Sequence, residues 1–315
     1  MAKPTAVDGV GGDTPLGEAA GRLVLARLMD VRRYQQAVLA TRGEDDVHDM
    51  RVAARRLRAA LALLARGRRV QASCRKVARR VKRLQDALGA VRDLHVQTGL
   101  VGRVLGEAGE AGLAAAALAA EGRARLPDRE AALVAALGKW EARTVPRVLG
   151  LLDGLAARGR LGGGFVLARL DDQVARIERA ARQALRGAIA AGDAHRLRIL
   201  VKKLRYQLEL VDRAVPGAEA LLGELPELQE TLGDLHDHDV LIERMEGLAE
   251  CETGAVKRGA LEALARLADE RAGLAEELGR EIEELLAAGW RTLLEGEAAV
   301  GQGDGARAGA GAGPE

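Results

Sequence analysis

The segment HDMRVAARRLR at residues 48–58 returns 147 residues later as HRLRILVKKLR at 195–205, with His, Arg, a basic residue and Arg at offsets 0, +3, +7 and +10 both times. At about 100° per residue these offsets share one helix face, so His48, Arg51, Arg55 and Arg58 point together, as do His195, Arg198, Lys202 and Arg205. The opposite faces are apolar, with Met50, Ala53, Leu57, Leu61 and Leu64 in the first copy and Leu197, Leu200, Leu204, Leu208 and Val211 in the second. Each helix is therefore expected to bury one side and present three cations and an imidazole on the other. Guanidinium forks pair bidentately with phosphate oxygens, and cations one helical turn apart offer donors every ~5 Å. Such a row suits a polyanion with a charge on every unit and needs no sequence to read. Asp46 and Asp193 stand at the same 147-residue offset. They read as N-caps that put His48 and His195 in the first turn, near free backbone N–H donors.

A second pair of motifs repeats at an offset of 144: LQDALGAVRDLHV at 84–96 and LQETLGDLHDHDV at 228–240. Gly89 and Gly233 recur inside these helices although Gly costs about 1 kcal/mol relative to Ala there, which implies close helix approach. Gln85 and Asp93, like Gln229 and Asp237, are eight residues apart and fall on a common side. From there the aspartates are expected to hold arginines of the basic helices through charge-assisted hydrogen bonds. Charge is strongly segregated around these motifs. Residues 47–92 carry fourteen Lys and Arg against Asp49 and Asp86, whereas 214–256 carry eleven acids against Arg244. Arg56, Arg75, Arg79, Lys82 and Arg83 join the candidate binding set through this local excess, and Lys203 and Tyr206 through their place in and beside the second basic motif.

The elements that must position these residues are helices. Ala, Leu, Arg and Glu dominate, aromatics make up only 2%, and little material favours strands. Gly, Pro and Asp punctuation predicts helices over 16–41, 47–65, 70–100, 101–123 and 128–157. After Gly162 to Gly164 the plan repeats over 166–190, 194–215 and 219–248, with one or two further helices over 256–294. The spacing between copies implies an internal duplication, with repeats over 15–160 and 161–295. Residues 1–14 and the Gly/Ala-rich tail 296–315 are expected to be disordered. Charges interrupt every apolar run before membrane-spanning length, and the N-terminus lacks a secretory apolar core, so a cytoplasmic protein without membrane association is expected. Cys74 and Cys251 read as reduced, mostly buried residues.

These residues resemble the CHAD family, the conserved-histidine α-helical domain, over about 16–294. The pattern HxxRxxxKxxRY is complete in His195, Arg198, Lys202, Arg205 and Tyr206, while the first copy has Arg55 for Lys and Ala59 for Tyr. The second signature reads LGAVRDLHV, with His95 in place of an acid, and LGDLHDHDV, with His236 in place of Arg. The resemblance implies an all-α fold of two pseudo-symmetric antiparallel four-helix bundles enclosing a basic cavity. It also implies inorganic polyphosphate as the ligand, and polyphosphate granules or polyphosphate-metabolising enzymes as surroundings. No cofactor is implied.

Other readings of the same residues stay open at this point. His48 and His195 read either as phosphate donors or as groups that orient the neighbouring arginines. His236, Asp237, His238 and Asp239 suggest a metal site or a metal-binding scaffold, although helical i, i+2 positions point apart. Nucleic acid or a nucleotide is the competing polyanion. Sequence-tolerant single-strand binding uses aromatic platforms, and of Tyr34, Trp140, Phe165, Trp290 and Tyr206 only the last adjoins a basic motif. No nucleophile–base pair, phosphate-binding Gly loop or acidic metal cluster accompanies the basic faces, so no catalytic residue is assigned and no enzymatic activity is expected.

Overall fold

The computed structural model describes residues 3–105, 109–155 and 159–295, and every regular element among them is helical. The long elements are α1 (Leu16–Thr41), α2 (Glu44–Leu63), α3 (Arg68–Leu105), α4 (Gly109–Lys139), α6 (Gly164–Ala184), α7 (Ala191–Leu208), α9 (Pro226–Cys251) and α10 (Gly254–Ala288). Short helices α5 (Val145–Leu149), α8 (Ala218–Gly223) and α11 (Trp290–Glu295) complete the set. Helices α1 to α4 pack in succession, and α6, α7, α9 and α10 do the same. The two series meet where α2 packs on α7 and where α4 packs on α10 and α9.

Apolar periodicity explains which faces turn inward. Met50, Ala53, Leu57, Leu61 and Leu64 are buried, as are Leu197, Leu204, Leu208 and Val211, while Leu200 packs at the edge of the core. The main core mixes both halves of the chain, for example Leu28, Leu57 and Leu88 with Leu170, Leu204 and Leu232. A second cluster joins Ala114, Ala115 and Leu118 of α4 to Leu241 and Met245 of α9 and Ala260, Ala263 and Leu267 of α10. Gly259 is indispensable there, because a Cβ would lie 1.8 Å from the Glu110 carbonyl oxygen.

Several boundaries differ from the sequence expectations. The predicted break between 101–123 and 128–157 is absent: α3 continues to Leu105, and α4 runs through Pro127. Pro127 removes one helical hydrogen bond, but Leu118 anchors α4 in the second cluster and Leu133 and Leu137 anchor it in the main core, so packing on both sides overrides the local cost. The chain instead departs from α-geometry at the π-turn Trp140–Thr144, just before Pro146. The single helix expected over 219–248 is two, with Pro226 opening α9.

The N-terminal segment makes polar contacts with the helices. The Thr5 backbone N–H donates to Asp30 at 3.3 Å, and Gly12 and Thr14 carbonyls accept from Gly162 and Leu161 at 2.9 Å. The Arg27–Asp30 pair on α1 is nearly inaccessible to water, and this segment supplies the polar partners that such a buried pair requires. Cys74 is buried, but Cys251 is exposed because it ends α9 beyond the apolar face. Residues 296–315 lie outside the described residues. Among the described residues no helix is long and apolar enough to cross a membrane.

Candidate functional site

Helices α2 and α7 begin at Glu44 and Ala191, so they preserve the 147-residue offset, and their contact brings the two motif copies face to face. Asp46 and Asp193 are not N-caps. Gly43 and Ala190 precede the helices without side-chain capping bonds, and Asp46 accepts instead from the Thr41 hydroxyl. His48 and His195 therefore lie in the second turn, past the unpaired N–H groups, and the expected helix-terminal contribution beside them is withdrawn.

Arg51, Arg55, Arg198 and Lys202 converge. Burial lowers Arg51 to about 10, helped by Arg55 and Arg198 and opposed by Asp93, which leaves it charged at neutral pH. Burial also lowers Arg198, with Asp237 opposing and Arg55 assisting. Lys202 is pulled down to about 7 by burial and by Arg198, Arg55 and Arg51, with Asp237 as the counterweight. The two aspartates sit where the second motif puts them, Asp93 facing Arg51 and Arg55 and Asp237 facing Arg198 and Lys202. Both carboxyls are raised because desolvation outweighs these attractions. Asp93 is reached by solvent and sits among Arg51, Arg55, Arg198 and Arg92, which oppose the rise. The Nε of Arg198 is buried without a hydrogen-bond partner among the described residues.

The histidines divide. His195 and His236 bring their ring centroids to 5.1 Å, and burial together with Arg198 lowers His236 to about 4. His48 instead lies near Arg92, Asp49 and Arg51, and is lowered chiefly by burial. The sequence considered His236 only as a departure from the second signature or as a metal ligand. Its 144-residue correspondence to Arg92 was the signal that it faces this site. The cluster 236–239 diverges: His238 bonds Glu270 and the Asp234 carbonyl, and Asp239 accepts from Arg271 at 2.6 Å. Among the described residues no group of three or more His, Cys, Asp or Glu could hold a metal ion.

The remaining candidates are held by other partners. Arg58 donates to Gln85 at 2.5 Å and Arg205 to Gln229 at 3.0 Å, the same pairing in both copies. Lys203 donates to Gln173 at 2.8 Å and feels Arg176, Arg169 and Arg58 rather than the convergent set. Arg56 points away from the cluster. Its Nε pairs with Glu209 Oε2 at 2.7 Å, while Glu209 Oε1 accepts from Arg205 at 2.9 Å. Tyr206 is buried with the Arg56 and Arg205 guanidinium groups over its ring. Glu209 was missed by sequence reasoning, although its i, i+4 relation to Arg205 was visible.

Arg75, Arg79, Lys82 and Arg83 are exposed on the outer side of α3, with Lys82 paired to Asp86 at 2.8 Å. Gly89 faces Arg51 rather than a helix backbone, since a Cβ there would meet Arg51 Nε at 3.4 Å; Gly233 meets nothing within 4 Å. The expected close helix approach at these two glycines is therefore absent. A pocket of about 180 Å³ lies under the N-terminal segment, lined by Thr5, Val10, Arg27, Glu209 and Asp212 among others, and does not include the convergent cations.

The chain's fold is similar to the crystal structure of the CHAD domain from the plant Ricinus communis, with a TM-score of 0.68 and 23% identity over 90% of this chain and 96% of that one. It is also similar to PptA from Streptomyces chartreusis, with a TM-score of 0.54 and 16% identity over 89% of this chain and 100% of the other. The sequence matches no curated protein. The CHAD domain family model matches residues 22–246, a span that contains both copies of both motifs, and the chain belongs to that family.

Proposed function

We propose that this protein binds inorganic polyphosphate without catalysing a reaction, at a basic cavity between two pseudo-symmetric four-helix bundles that correspond to 15–160 and 161–295. The observation that carries this reading is the convergence of Arg51 and Arg55 from one copy with Arg198 and Lys202 from the other, close enough to lower one another's basicity. A protein gains nothing in stability by crowding half-buried cations, so the crowding points to an anion that relieves it. A linear phosphate chain supplies one charge per unit and is thin enough to follow a row of guanidinium groups. Arg58 and Arg205, held by Gln85 and Gln229, extend the row at the ends of the two motifs. The cellular setting that follows is the cytoplasm, on polyphosphate granules or beside enzymes that make or consume the polymer.

The test is calorimetric titration with long-chain polyphosphate, single-stranded DNA and ATP in parallel. Polyphosphate is expected to bind most tightly, with a log–log salt slope of about −0.7 per neutralised charge if it behaves like a single-stranded nucleic acid. Replacing Arg51, Arg55, Arg198 and Lys202 together by Gln should abolish tight binding, whereas replacing the exposed Arg123, Arg129, Arg179 and Arg186 should not. Equal losses from both sets, with helicity intact by circular dichroism, would make the binding diffuse and the repeated motif structural.

A further inference from the structure

Exposed cations on several helices are answered by an acid one turn away, as in Arg22–Glu18, Arg125–Glu121, Arg182–Glu178 and Arg266–Glu270. The N-terminal half of α3 departs from that pattern. Arg75, Arg79 and Arg83 recur at i, i+4 and i+8, and Lys76 and Arg80 run beside them, so like charges stand at the spacing that destabilises a helix. The π-turn Trp140–Thr144 packs on α3 and brings Arg143 and, one turn on, Arg147, whose Nη1 donates to the Arg143 carbonyl at 2.6 Å. Arg147 foremost, then Arg83 and Arg143, lower the basicity of Arg80. All of these side chains except the half-buried Arg80 are exposed, and none has an ion pair among the described residues. The second copy reverses the sign. At the 144-residue offset Arg75, Arg80 and Arg83 become Glu219, Glu224 and Glu227, all exposed, and residues 214–243 contain no Lys or Arg. The Thr231 hydroxyl donates to Glu281 at 2.7 Å and ties this stretch to α10, where Glu277 and Glu284 continue the acidic side and Arg280 stands among them.

We propose that the two faces receive each other between copies of this chain, the basic face of α3 and α5 on one molecule docking the acidic face of α8 and α9 on the next. Complementary charge is the argument for this occupant, since each face carries the unpaired sign that the other lacks. The proposal does not rest on the polyphosphate reading. Pairing across the contact relieves the like-charge repulsion along α3, where the one acid in reach, Asp86, is already taken by Lys82. Contact through two different patches is heterologous, so each added molecule leaves one basic and one acidic face free, and assembly continues or closes as a ring. Exposed charges are screened beyond about 8 Å at physiological ionic strength and more strongly above it, so the contact is held at low salt and released by added salt.

The experiment is sedimentation velocity on the full chain, without polyphosphate, at about 0.02 M and about 0.5 M salt. The wild-type protein is expected to sediment as dimers and larger species at low salt and as a monomer at high salt. One variant neutralises the basic face by Arg75→Gln, Arg79→Gln, Arg80→Gln and Arg83→Gln, and another neutralises the acidic face by Glu219→Gln, Glu224→Gln and Glu227→Gln. Gln keeps helix propensity, and circular dichroism checks the fold. Each variant alone should be monomeric at low salt. An equal mixture should form a species of twice the monomer mass and grow no further, because each partner retains one complementary face. A wild-type protein that stays monomeric at low salt overturns the proposal, and weaker polyphosphate binding by the basic-face variant would then give that face to the polymer. Undiminished association in either variant, or a mixture that stays monomeric beside an associating wild type, overturns it too.

Discussion

The two copies of the motif share a backbone plan and differ in how each holds its charges. In the first, Arg92 pairs with Glu44 and lies near His48, so a fixed cation is anchored by an acid from the start of α2. In the second, the corresponding residues are His236 and Ala191; alanine takes the place of the acid, and the imidazole lies against His195 instead. Asp239 pairs with Arg271, whereas its counterpart His95 has a buried Nδ1 without a partner among the described residues. Glu209 joins Arg205 to Arg56 of the first copy, and its own counterpart is Ala62. Both copies thus contribute arginines to the shared face, and the second has Lys202 and His236 where the first has Arg55 and Arg92.

The largest expected effect tests whether the copies form one site. Charge-assisted hydrogen bonds contribute about 1.5 to 3 kcal/mol each. Arg51→Gln with Arg55→Gln, and Arg198→Gln with Lys202→Gln, should therefore each weaken polyphosphate binding by two or more orders of magnitude in calorimetric titration. A pair whose removal changes Kd by less than twofold would show that its copy lies outside the site.

A smaller effect concerns the asymmetric acid. Glu209→Gln removes the carboxylate that pairs with the Arg56 guanidinium, which is only 5% exposed. Gln retains an acceptor and Glu209 is itself partly reached by water, so the loss should be about 2 kcal/mol in urea unfolding. Asp86→Asn, which breaks the exposed Lys82 pair, should cost no more than about 0.5 kcal/mol. Equal costs would mean that the link between copies through Glu209 contributes no more than a surface pair.

The smallest effect distinguishes the matched glycines. Gly233→Ala meets nothing within 4 Å and should raise stability by about 0.5 to 1 kcal/mol, the ordinary gain from Ala inside a helix. Gly89→Ala puts a methyl group against Arg51, so its gain should be smaller, and it alone should shift polyphosphate affinity. Thermal melts and titrations of the two variants that coincide would erase this difference between the copies.

Local physics made much of this legible before any tertiary contact was known. The limits of α1 were predicted as they are found, because its apolar face and flanking punctuation act within one helix. The equivalent Arg58–Gln85 and Arg205–Gln229 pairs join residues that the two repeats mark independently, and the repeated spacing carries them to the same place. The start of α2 was misplaced by three residues, since Asp46 has a competing partner in Thr41, and nothing in the local pattern ranks that partner against a capping bond. Pro127 read as a break for a similar reason: its cost is local, while the anchors that override it come from two separate cores.

The sequence by itself determined that the chain is helical, that a basic face was built twice, and which side chains share each face, because helical geometry sets these from the spacing of residues along one element. Only the tertiary structure decided which cations converge. Arg55 and Arg56 are neighbours in sequence, yet Arg55 faces Arg51, Arg198 and Lys202 while Arg56 is claimed by Glu209, 153 residues away. Charge at a distance along the chain has no local signature. Its effect depends on dielectric and separation, and both are set when α2 meets α7.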